Sequence, residues 1–316
     1  MSSTFRVPLR ISDLWKRFWY AEGSTIGLGL FRILSSVCLA WEVGITRQKS
    51  AYTIESGFHL PYVSWIQTLP PDIYRMIQTA QYPLILLIGL GLLTREATVV
   101  LLLLQGYVFF SDQLNFRNHP YLFLLLLLVL ALAPADDALS LRAVIRSFSK
   151  RRPVRTELAG STQPVTFQRL IQVQICIVYF YAALNKCNSA YLGGDVLSAF
   201  LSESLPKQLN GFIGSLFTAV TLEHLRLFLS QPENLVLPSV LSVATEFFLP
   251  FGLMWQRTRS KAFIIGILFH LTIGLTMNIM LFSTAVISSY VLFTPPNKLL
   301  TAWNRTAARG EISLGS

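Results

Sequence analysis

Charge is what this sequence has least of. Of its 316 residues only 13% are Asp, Glu, Lys or Arg, where a soluble chain of this size carries about a quarter. That shortage excludes a soluble globular domain, because the apolar residues, 53% of the chain at a mean hydropathy of +0.52, gather in long uncharged blocks. Cysteine is scarce as well. Cys38 and Cys176 fall inside apolar blocks and Cys187 lies near the end of one, so the three form no metal-ligand spacing and argue against a structural disulfide. No cleavable signal peptide is read at the N-terminus. The first twenty residues, with Trp15, Lys16, Arg17, Phe18 and Trp19, have instead the make-up of an amphipathic segment lying in a membrane interface.

What is present is a series of apolar blocks near the ~20 residues that cross a hydrocarbon core. Only closed helices satisfy every backbone N–H and C=O in lipid, and these blocks lack the apolar–polar alternation of membrane barrel strands. The expected spans are 25–45, 73–93, 96–112, 119–134, 167–185, 237–256, 261–281 and 282–296. The fold class is therefore an all-α integral membrane protein, a multi-pass bundle of about eight transmembrane helices. Residues 1–24 are the interfacial segment, 25–298 the transmembrane domain and 299–316 a cytoplasmic tail. Residues 212–230, interrupted by Glu223, His224 and Arg226, read as an amphipathic helix against the membrane or over the bundle.

The net charge of +10 follows membrane topology and implies lipid contact, with no nucleic-acid partner. Arg6, Arg10, Lys16 and Arg17 precede the first span. Arg142, Arg146, Lys150, Arg151, Arg152 and Arg155 follow the fourth, Arg257, Arg259 and Lys261 the sixth, and Lys298, Arg305 and Arg309 the last. All fall on one side of an eight-span chain, which the positive-inside rule makes cytoplasmic, with both termini there. Segment 149–166 is a polar cytoplasmic linker, and 46–72, 113–118 and 186–236 face outward.

Few side chains stand out as chemistry. His119 lies at the outer mouth of the fourth span, in Asn118-His119-Pro120-Tyr121, where it is either an interfacial histidine or a catalyst. Lys186 ends the fifth span on the lysine-poor outer side. It is either a headgroup anchor or a partly desolvated amine fit to act as a general base. His270 is deep in the seventh span, with Gly266, Gly274 and Asn278 on the same helix face. Ionisable groups there mostly face a bundle interior or cavity, so the choice is between an interhelical hydrogen bond and a site. Glu246 and Arg32 are also intramembrane and could pair with one another or with His270. An outward-opening cavity between the fourth, fifth and seventh spans would gather His119, Lys186, His270 and Asn278.

Three runs, NHPYLFLLLLL, QRLIQVQICIVYFYAALNKCNSAYLGGD and TEFFLPFGLMWQRTRSKAFIIGILFHLTIGLTMNIMLFS, resemble in order the membrane domain of vitamin K-dependent γ-glutamyl carboxylases. That domain is called HTTM, for horizontally transferred transmembrane, and the likeness extends from GLFRIL near residue 25 to about residue 298. The resemblance implies a membrane enzyme whose cofactor is vitamin K hydroquinone or another isoprenoid quinol, with O2 and CO2 as co-substrates if it is a carboxylase. In the family's carboxylases a lysine activates the hydroquinone, oxygenation yields an alkoxide that removes the γ-proton of a glutamate, and CO2 adds to the carbanion. By position in the motifs Lys186 matches that lysine, His119 the histidine implicated in carbanion stabilisation, and His270 the histidine of the later helix. Asn278, Tyr179 and Tyr191 are the implied cofactor contacts.

The sequence departs from the family in three places. Asn185 stands where a second lysine often precedes the first, and Tyr191 where the following turn usually has Trp. No large extramembrane domain follows the last span within the 316 residues, which weighs against processive carboxylation of a propeptide-bearing protein. The leading expectation is quinol-linked chemistry at an outward-facing site, in a bacterial plasma membrane, with a secreted peptide or protein among the substrates. The rival is a non-enzymatic accessory protein for export or maturation of a secreted peptide.

Overall fold

The structure, a computed structural model, describes residues 11–56, 60–62, 65–66, 69–209, 218–277 and 279–313. It begins with α1 (Ile11–Tyr20), β1 (Glu22–Ser24), α2 (Ile26–Ser56), α3 (Pro71–Leu90), α4 (Thr94–Phe110) and α5 (Asn118–Leu132). Next come α6 (Leu141–Lys150), α7 (Val154–Leu158), β2 (Thr162–Pro164), α8 (Thr166–Lys186), α9 (Ser189–Leu192) and α10 (Asp195–Leu209). The chain ends with α11 (Ala219–Leu229), α12 (Pro232–Met254), α13 (Arg259–Met277), α14 (Met280–Ser289) with a 3-10 turn over Tyr290–Phe293, and α15 (Pro296–Ser313). Every expected span falls on a helix, because long apolar blocks without Gly or Pro clusters leave the backbone no other way to pair its polar groups. The ends agree to within about five residues, except that α2 runs on to Ser56, well past the expected end at 45.

By length and composition four helices among the described residues can cross a membrane: Ile26–Arg47 of α2, and α8, α12 and α13. Asn118–Leu132 and Met280–Phe293 are shorter apolar helices. At 1.5 Å per residue a 15-residue helix such as α5 is about 22 Å long, short of a ~30 Å core. The helices keep an apolar interior, with Phe31, Leu127 and Leu249 buried, but their surface is apolar too. Leu86, Leu103, Phe251 and Ile264 are exposed, while Gln78, Gln81, Thr98, Ser239, Glu246 and His270 are buried. Apolar side chains outward, with the intramembrane polar ones kept inside, is the pattern expected of an all-helical membrane protein. The sequence reading placed no helix over 195–209, whose DVLSAFLSESLPKQL mixes polar and apolar residues. Those residues form α10, which packs on α12 and α13.

Two compact units divide the chain. The first holds residues up to Phe116, Tyr121–Gln172 and Thr294 onward; the second holds Arg117–Pro120 and Val173–Phe293. In the first unit α2 packs on α3 and α3 on α4, and β1 pairs antiparallel with β2, Gly23 opposite Gln163. Arg32 of α2 is fully buried, yet it pairs with neither Glu246 nor His270. Its guanidinium donates to the carbonyls of Ala135 (2.8 Å) and Leu139 (2.7 Å), with those of Ala138 and Gly89 at 3.4 Å. Three of these carbonyls lie in the loop between α5 and α6, and that of Gly89 is in the last turn of α3, where helical partners run out. Gly91 closes α3 at φ 70°, and a Cβ there would strike both Arg32 and Ser140.

The segment expected to be a plain linker is structured, because Asp137 gathers it. Its carboxylate accepts from the Thr25 hydroxyl at 2.8 Å, from the Ser161 backbone N–H at 2.6 Å and hydroxyl at 2.7 Å, and from Arg146 at 3.1 Å. Burial alone would raise the Asp137 pKa. The Ser161 and Thr25 hydrogen bonds and the Arg146 charge outweigh it and hold the carboxyl below its usual value.

Candidate functional site

The second unit holds the polar cluster, and α8 supplies its centre. Tyr179, Ala183 and Lys186 recur at i, i+4 and i+7, so they share one helix face. Tyr179 and Ala183 are fully buried, and the Lys186 side chain is only 27% exposed. It does not reach outward as a headgroup anchor would. Its Nζ turns to Glu246 of α12 and donates to Oε1 at 2.6 Å, while the Glu246 side chain is 5% exposed. The second Glu246 oxygen, Oε2, is buried with no hydrogen-bond partner among the described residues.

The turn after α8 holds the lysine from the other side. Asn188 caps α9 by accepting from the Tyr191 N–H at 2.9 Å, which sets the Tyr191 ring 5.4 Å from Lys186 Nζ, within reach of a cation–π interaction. The Tyr191 hydroxyl lies 3.2 Å from Ser242 Oγ of α12. Gly194, at φ 91°, is pressed on the Pro232 carbonyl where a side chain would collide. Pro250, one turn beyond Glu246, has no N–H for the Glu246 carbonyl, and its own carbonyl accepts from Cys176 Sγ at 3.6 Å.

Deeper along α8, Tyr179 joins a second polar group. Its hydroxyl lies 2.5 Å from His270 Nε2 of α13 and 2.5 Å from the hydroxyl of Tyr290 in the 3-10 turn after α14. Gly266 makes this possible, since a Cβ there would run into the Tyr290 hydroxyl, and Gly274 similarly admits Ser283. A tyrosine hydroxyl has one proton, so the chain has two polarities. Either Tyr290 donates to Tyr179 and Tyr179 to His270, or His270 Nε2–H donates to Tyr179 and Tyr179 to Tyr290. Exchanging them changes the His270 tautomer and turns both hydroxyls round, with each tyrosine keeping its own proton. His270 Nδ1 and Ser283 Oγ are buried and have no hydrogen-bond partner among the described residues.

The expected residues are thus only partly gathered. Lys186, Tyr191, Tyr179 and His270 lie in one unit, and Glu246, which the sequence reading offered to Arg32 or His270, is the lysine's partner. His119 is half-buried, with Arg117 Nη1 3.1 Å from its Nε2. Among the described residues no hydrogen bond connects it to Lys186, Tyr179 or His270. Asn278 lies outside the described residues. Tyr290 was missed, and the one signal for it is a tyrosine at the end of an apolar span.

No cluster of three or more metal-ligating side chains occurs among the described residues. Glu246 Oε2 and His270 Nδ1 are two buried atoms that no described residue satisfies, and they are the atoms that would fit the polar groups of a quinol headgroup. No solved structure matches the chain significantly. Residues 20–298 match the HTTM domain, nearly the whole length over which the helices and both polar groups are laid out, and the chain is a membrane protein of the HTTM family.

Proposed function

We propose that this HTTM protein is a quinol-dependent membrane enzyme, related to the vitamin K-dependent carboxylases, in which Lys186 and Glu246 together handle the proton of the quinol hydroxyl. The observation that carries this reading is the partly buried Lys186–Glu246 pair, whose second Glu246 oxygen has no partner among the described residues. A salt-bridged ammonium has no lone pair and cannot be a base. Transfer of one proton across the 2.6 Å bond from Nζ to Oε1 leaves a neutral amine beside a neutral acid, a form that a poorly solvated site favours relative to water. The amine then accepts the hydroxyl proton of the bound quinol. A bound isoprenoid quinol would supply two electrons for the reduction of O2. Tyr179, His270 and Tyr290 form a separate buried relay that can reverse its polarity, and His270 Nδ1 and Glu246 Oε2 are the atoms left to orient a headgroup. The reading includes the eight-span topology, cytoplasmic termini and an outward-facing site. His119 belongs to it as a group brought to the substrate by the outer mouth of α5.

The ion pair also supports the rival, an accessory protein for export or maturation of a secreted peptide, because a lysine held by a carboxylate can serve as a ligand contact alone. Purified protein given reduced vitamin K, O2, labelled bicarbonate and a Glu-containing peptide separates the two. Epoxide formed by wild type and lost in Lys186→Ala supports quinol chemistry, and fixed label adds carboxylation. No epoxide from either protein, where a known carboxylase works, leaves the accessory reading.

A further inference from the structure

Helix α6, which lies in the first unit and takes no part in the polar cluster, is packed the wrong way round for a soluble helix. It buries Ala143 and Ser147 and turns Leu141, Ile145 and Phe148 outward, at 39%, 53% and 73% exposure. Those three recur at i, i+4 and i+7, so they form one continuous apolar stripe. Ten residues span about 15 Å, too short to cross a hydrocarbon core. The helix is fixed to its unit by its polar side. Ser140 caps it by accepting from the Ala143 N–H at 2.9 Å, and Arg146 bonds Asp137 and Glu157.

Cations rim the stripe. Between residues 136 and 157 the chain has six, Arg142, Arg146, Lys150, Arg151, Arg152 and Arg155, against the carboxylates of Asp136, Asp137 and Glu157. Arg142, Arg146 and Arg152 are paired with those carboxylates. Lys150 and Arg151, at the C-terminal end of α6, are exposed and make no ion pair among the described residues. Arg151 takes the left-handed conformation (φ 53°) that ends the helix. The β1–β2 pairing ties the same unit to α1, whose Ile11, Leu14 and Trp15 are likewise exposed beside Lys16 and Arg17.

We propose that α6 is an anionic-phospholipid docking surface, lying in the plane of one leaflet with Leu141, Ile145 and Phe148 among the acyl chains and Lys150 and Arg151 on the headgroups. An outward apolar stripe fits the acyl boundary, and the exposed cations at its end, in no ion pair among the described residues, fit negative charge at headgroup height.

The test uses the full chain in neutral detergent, offered equal phosphatidylglycerol and phosphatidylcholine of matched acyl chains, with retained lipid counted by native mass spectrometry. Wild type should retain phosphatidylglycerol preferentially. Lys150→Gln combined with Arg151→Asn, the latter chosen because Asn tolerates the left-handed conformation, should lose roughly fivefold in preference per cation removed. Ile145→Ser with Phe148→Ser should lose retention of both lipids, with the melting temperature in lipid-free detergent unchanged in either variant. Equal retention of the two lipids by wild type, or a preference that survives the cation variant, would overturn the proposal. So would an equal rise in melting temperature with inorganic phosphate in place of lipid, because a bare anion site would explain it.

Discussion

Lys186 and Glu246 are the pair on which the residue-scale argument turns. Breaking a buried ion pair from one side strands the other charge, so Lys186→Met should lower stability by about 3–5 kcal/mol. Lys186→Met combined with Glu246→Leu should recover most of that loss, because two apolar side chains leave no charge behind. Melting temperatures of the two variants in the same detergent check this, and equal losses would mean the contact contributes little. The lysine was legible in the sequence because a cation is rare at the end of a span expected to face outward. Its partner was not, since Lys186 and Glu246 are 60 positions apart and helix periodicity says which face a residue occupies, never which helix that face meets. Arg32 illustrates the same gap. As an intramembrane arginine it suggested Glu246 or His270 as a partner, and the structure instead gives its terminal nitrogens the carbonyls of the loop between α5 and α6.

Among the elements, α13 was read most nearly right. Gly266, His270 and Gly274 one turn apart predict a close-packed face with a polar centre, and all three are buried. The hydroxyls that meet that centre come from 91 positions away (Tyr179), with Tyr290 one hydrogen bond further on, and nothing local in α13 encodes them. Gly266→Ala should force Tyr290 away and cost about 1–3 kcal/mol. Tyr290→Phe in that background should return part of it, because the hydroxyl is the atom the new methyl meets first. Thermal unfolding of the single and double variants measures the recovery. Tyr179→Phe should separately cost about 1–3 kcal/mol by leaving both His270 Nε2 and the Tyr290 hydroxyl without their shared partner.

For the whole molecule, the order and extent of the apolar blocks gave the helices, while their lengths left fewer of them able to cross a membrane on length and composition than the eight expected spans. Coherence of the first unit depends on Asp137, which joins the start of α2, helix α6 and the turn before β2. Its folded pKa lies below the unfolded value near 3.9. The carboxylate therefore adds stability at all pH above that value, and the contribution is lost as pH falls through the folded pKa. The melting-temperature gap between wild type and Asp137→Asn should be constant from about pH 6 to 8 and narrow below about pH 4. A gap that widened in acid would contradict the hydrogen-bonded carboxylate. The proton-sharing role of Lys186 and Glu246 is tested most directly by the rate of vitamin K epoxide formation in wild type and Glu246→Gln. Glutamine keeps an acceptor for the lysine but cannot take its proton. The account predicts a loss of about 10²–10⁴-fold in rate with the protein still folded. An unchanged rate in Glu246→Gln, alongside a lost rate in Lys186→Ala, would contradict it and leave the lysine acting without its carboxylate.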